Sequence, residues 1–76
     1  MDYKVFFSDV ALWTQQANQA AMKYGMADSN FWLWVADSSG SMCKKYQDNP
    51  LVIKQMIMLT EWLEEVYQKQ SQPREG

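Results

Sequence analysis

Along residues 3–24 the apolar positions Tyr3, Phe6, Val10, Trp13, Ala17, Ala20 and Tyr24 recur at alternating intervals of three and four. Those intervals line all seven along one stripe of an α-helix. Asp2 suits the start as an N-cap, and Gly25 suits the end in a left-handed C′ conformation. The opening YKVFF is rich in strand formers, but the period that continues beyond it is helical. The later half of the stripe is small (Ala17, Ala20, Ala21), which leaves room for a second helix to approach closely. Gln15, Gln16, Asn18, Gln19 and Lys23 make the wet side.

A second helix is predicted over residues 30–47. Asp28, Ser29 and Asn30 all suit an N-cap, and Phe31, Val35, Met42 and Tyr46 share one face, with Trp32, Ala36 and Cys43 beside it. Trp34 falls outside that arc and Leu33 at its far edge. Between the halves stands Ser38-Ser39-Gly40-Ser41, whose glycine alone weakens a helix by roughly 1 kcal/mol. Two outcomes follow from the pattern: one continuous helix with a small-residue contact face, or two short helices broken at residues 38–41. The third helix opens at Asn49-Pro50, a cap followed by proline at the first helical position, and is predicted over residues 50–68. Three helices with short connections make the expected fold all-α, a compact three-helix bundle. Residues 1–70 form a single helical domain in this reading, and residues 71–76 (SQPREG) a frayed polar tail.

The third segment is more apolar than a surface helix needs. With Leu51 at zero and about 100° per residue, Val52, Met56, Leu59, Leu63 and Val66 form a central stripe. Leu51, Met58 and Trp62 widen it on one flank, Ile53 and Tyr67 on the other, and Ile57 lies further out. Lys54, Glu61, Glu64, Glu65 and Gln68 make the polar strip. The apolar arc is about twice the usual 100°. A wide arc is what a central core helix shows, and also what a binding face shows. The other two helices have apolar surface for the central stripe and part of one flank only. A flank of about 600 Å² left half exposed would already match the largest patch normal for a monomer. The sequence therefore predicts a protein interface made by Leu33, Trp34, Ile53, Ile57, Met58 and Trp62.

Composition narrows the chemistry. The chain has 76 residues, a size that holds one core whose stability is marginal unless further burial is added. Seven basic and nine acidic residues nearly cancel. There is no histidine and one cysteine, Cys43, so neither a Cys–His nucleophile, an internal disulfide nor a histidine–cysteine zinc site can be assembled. Asp9, Asp28, Asp37 and Asp48 sit near caps or on wet faces, and Glu61, Glu64 and Glu65 read as solvated surface or the rim of an interface. SSGS lacks the lysine and the spacing of a phosphate-binding loop. No catalytic, cofactor-binding or metal-ligating residue is predicted, and no small-molecule ligand; the expectation is a chain that is not an enzyme. Lys54 and Lys69, separated by three acids, do not make a recognition helix, which argues against direct nucleic-acid binding. No apolar run approaches the roughly 18 residues of a membrane span, and no signal peptide is apparent. A single cysteine fits a reducing cytosol, so a cytoplasmic protein is expected.

The segment NPLVIKQMIMLTEWLEEVYQKQ resembles the C-terminal helix of short helical proteins from Gram-positive phages and integrative elements. That resemblance covers about a third of the chain and carries no catalytic motif. It implies an accessory protein of the host cytosol that binds and inhibits a host protein or defence complex, in the manner of anti-CRISPR proteins. The residue pattern itself leaves three partners open: a foreign protein, a second copy in a homodimer with a structural or regulatory role, or, least favoured, nucleic acid.

Overall fold

The computed structural model describes residues 1–71, and these form three α-helices: α1 (Tyr3–Tyr24), α2 (Ser29–Lys45) and α3 (Pro50–Ser71). The fold is all-α, the class that the periodicity predicts, and the described residues contain no strand. The three starts are set by side-chain oxygens that satisfy first-turn N–H groups, which have no partner within a helix. Asp2 Oδ1 accepts the N–H groups of Lys4 and Val5 at 3.0 and 3.3 Å. Asp28 Oδ1 accepts that of Asn30 at 2.8 Å, and Asn49 Oδ1 that of Leu51 at 2.9 Å.

The helix ends are less uniform. At the end of α1, Gly25 donates its N–H to Ala21 O at 2.8 Å. Its φ of 83° is the positive value expected, but its ψ of 143° lies outside the left-handed helical well. That extended positive-φ region is one that side-chain-bearing residues avoid. Helix α2 stops at Lys45, two residues before the predicted end. Gln47 and Asp48 both take left-handed backbone angles, with φ 57° and 56°. Asp48 N–H returns to Cys43 O at 2.8 Å and Gln47 N–H to Lys44 O at 3.0 Å. This nested pair is a Schellman motif, with Gln47 where glycine usually stands. Helix α3 continues to Ser71, three residues beyond the predicted end, through the good helix formers Lys69 and Gln70. Ser71 is thus helical, and the frayed tail expected over residues 71–76 otherwise falls outside the described residues.

The second helix is not broken: α2 is continuous through Ser38-Ser39-Gly40-Ser41. The chain nevertheless divides into two compact units at this point, one covering Met1–Ser38 and the other beginning at Ser39.

The first unit holds α1 and the part of α2 up to Ser38. Phe6, Trp13, Ala17, Ala20, Met26, Phe31 and Val35 are buried there. Fully burying a side chain the size of Phe6 or Phe31 stabilises a fold by about 1.5–3 kcal/mol. The two ends of the predicted α1 stripe, Tyr3 and Tyr24, are exposed instead, because a helix end has neighbours on fewer sides. The second unit holds the rest of α2, the Schellman turn and α3. Its buried residues Val52, Met56, Leu59 and Leu63 are four of the five positions of the central stripe; Val66 is half-buried. Among the described residues no buried side-chain nitrogen or oxygen lacks a hydrogen-bond partner.

A candidate protein-binding face on helix three

Helix α3 buries one side and leaves the other uncovered. Ile57 is 52% exposed, Met58 55% and Trp62 40%. Together with Lys54, Glu61 and Glu65 they line an open depression of about 300 Å³. The six positions follow the helical sequence i, i+3, i+4, i+7, i+8 and i+11, so one strip of one helix carries all of them. Around the helix, Lys54, Glu61 and Glu65 run along the middle of the depression, with Ile57 on one side of them and Met58 and Trp62 on the other.

The other predicted interface residues lie elsewhere. Ile53 is half-buried on the opposite flank of α3. Leu33 is 60% exposed, and its neighbours at helical spacing, Asp37 and Gly40, are exposed too, so it stands as an isolated apolar residue on a wet face. Isolated exposed leucines are normal on soluble proteins. Trp34 is half-buried inside the first unit. Its ring stacks on Trp13 at 5.5 Å with 22° between planes, and lies 6.5 Å from Phe31. Phe31 meets Trp32 edge-on at 4.9 Å, and the Trp32 indole N–H donates to Met26 O at 2.7 Å. Trp34 thus belongs to an aromatic cluster with Trp13, Phe31 and Trp32. Its position off the helix stripe did not show this, because Trp13 reaches it from another helix.

A second exposed apolar strip, which the main helical period does not predict, lies on α1. Tyr3, Phe7 and Ala11, with Lys4 and Ser8, line a shallower depression on α1. The helical period puts Tyr3 in the stripe with Phe6 and Trp13 and gives Phe7 no place in it. The available signal was the i, i+4, i+8 spacing of Tyr3, Phe7 and Ala11, which was masked by the stronger stripe through Phe6 and Trp13. Phe7 leans on Phe6, 5.1 Å away with 52° between planes.

Among the described residues no three His, Cys, Asp or Glu side chains gather into a metal-binding group. Cys43 is a free, half-buried thiol. None of the described helices is long and apolar enough to cross a membrane. No protein-family model, curated protein or solved structure matches the chain.

Proposed function

We propose that this chain is a small non-enzymatic protein-binding module that docks through the outer strip of α3. One observation carries the reading: Ile57, Met58 and Trp62 stand about half exposed on the uncovered side of one helix, on either side of a line of charged residues. Leaving three large apolar side chains together in water forgoes the burial free energy they would gain on a partner, of order 25 cal/mol per Å². Aromatic and methionine side chains are enriched at binding surfaces. The resemblance of residues 49–70 to phage and mobile-element proteins points to a host protein or defence complex as an outside partner, inhibited by occupancy of the site this helix covers.

Affinity capture from a host lysate tests the proposal, with wild-type and Ile57→Glu chains that give matching circular dichroism. The charge placed at Ile57 is expected to remove the captured proteins. Equal recovery by both chains would show that binding uses a different surface.

A further inference from the structure

We infer that residues 39–48, the second half of α2 with the turn after it, open as a unit while the rest of the fold stays closed. This conformational device is independent of the binding reading of α3. From residue 36 to residue 51 nothing is buried, the longest such stretch among the described residues. Within the segment Ser39, Met42, Cys43 and Tyr46 reach half-burial, and every other residue is exposed. Segments with so little buried apolar surface open at the lowest free energy. Local preference weakens the segment at both ends. Ser39, Gly40 and Ser41 are poor helix formers set inside a helix. At the other end Gln47 and Asp48 hold φ of 57° and 56°, where L-residues are strained.

Hydrogen bonding gives the segment its boundaries. Helical geometry pairs the N–H groups of residues 42–45 with the carbonyls of residues 38–41. Tyr46 and Asp48 donate their N–H groups to Cys43 O at 3.2 and 2.8 Å, and Gln47 donates to Lys44 O at 3.0 Å. The N–H groups of residues 42–48 therefore find their acceptors within residues 38–44. An anchor stands just outside each end. On one side the Ser38 hydroxyl accepts the indole N–H of buried Trp13 and donates to Val35 O. On the other, Asn49 accepts the N–H of Leu51 at its side chain and that of Ile53 at its carbonyl, so α3 carries its own cap. Opening breaks the bond from Asn49 N–H to Tyr46 O but leaves both anchors in place.

Native-state hydrogen exchange on the full chain, at low urea and where reclosing outpaces exchange, tests this. The N–H groups of residues 42–45 are expected to be about a hundredfold less protected than those of Val35 and Met56. Their protection should also fall less steeply with urea, because opening the segment exposes only part of the surface that global unfolding does. Gly40→Ala should raise protection at residues 42–45 by about two- to fivefold. Phe31→Leu, outside the segment, should lower protection of the globally exchanging N–H groups by about tenfold and leave residues 42–45 unchanged. Protection and urea slope at residues 42–45 equal to those at Val35 or at Met56 would mean that the segment opens only with its surroundings, and would overturn the inference. A parallel loss at residues 42–45 in Phe31→Leu overturns it equally. If that variant fails to fold, the wild-type urea slopes decide alone.

Discussion

The indole N–H of Trp13 donates to the hydroxyl oxygen of Ser38 at 2.8 Å, across 25 residues of sequence. Trp13 is buried, and the bond gives its only polar atom a partner inside the first unit. Ser38 in turn donates to Val35 O at 3.3 Å, so the hydroxyl is held from both sides. This gives one serine of SSGS a definite structural use, distinct from the phosphate-loop or helix-break readings.

Ser38→Ala should therefore destabilise the chain, although alanine is the better helix former. An unpartnered buried N–H costs about 1–3 kcal/mol, against roughly 0.5 kcal/mol gained in helix propensity. The expected net loss is about 1 kcal/mol, read from the urea midpoint at unchanged slope. In a double-mutant cycle, the loss from Ser38→Ala should shrink in a Trp13→Phe background, where no indole remains to be satisfied. A Ser38→Ala chain as stable as wild type would mean that the bond adds nothing.

The two described glycines, Gly25 and Gly40, should respond to alanine in opposite directions. Neither has a heavy atom within 4 Å of where a Cβ would sit, so sterics with neighbours do not separate them. Backbone angles do. Gly25 holds φ 83° and ψ 143°, where an L-residue is strained, and Gly25→Ala should cost about 1–2 kcal/mol. Gly40 is exposed inside continuous helix, and Gly40→Ala should add about 0.5–1 kcal/mol. Thermal unfolding of both variants checks the pair of signs, which a purely steric account would not produce.

Gln47 occupies the left-handed position of the Schellman turn, with φ 57°. Glycine takes that conformation without the 1–2 kcal/mol penalty of an L-residue, at the expense of a more flexible unfolded chain. Gln47→Gly should raise stability by about 0.5–1 kcal/mol in denaturant unfolding. A loss instead would mean that the Gln47 side chain contributes more than its backbone costs.

This turn also shows where the sequence stops being legible. Asp2, Asp28 and Asn49 announce their helices because capping is local: a side-chain oxygen meets an N–H two or three residues on. The end of α2 carries no such mark, since Gln47 and Asp48 are not glycine and Tyr46 continues the apolar phase. The central stripe of α3 was readable from Val52 to Leu63 because burial follows helical spacing. Leu33, Ile57, Met58 and Trp62 are exposed as their wheel positions implied. The packing of Trp34 was not readable, because it depends on which residue another helix places beside it. Nor was the exposure of Tyr3, which follows from where α1 begins rather than from its period.

Trp34 and Ile57, both named by the sequence as interface residues, should separate when each is altered. Trp34→Ala removes a ring stacked on Trp13 and near Phe31, leaving a gap in the aromatic cluster. Deleting a large aromatic from a core costs about 3–5 kcal/mol, and the half-exposed position of Trp34 reduces this to about 2 kcal/mol. Ile57→Glu exchanges an exposed side chain on α3 for one with equal or better helix propensity, so stability should stay within about 0.5 kcal/mol of wild type. Binding should follow the opposite order. Ile57→Glu is expected to lose the partner while folding normally, and Trp34→Ala to retain it at temperatures where it remains folded. Denaturant unfolding beside a binding assay on the same preparations resolves the two effects. Partner loss by a fully folded Trp34→Ala chain would move the binding surface from α3 to the aromatic cluster of the first unit.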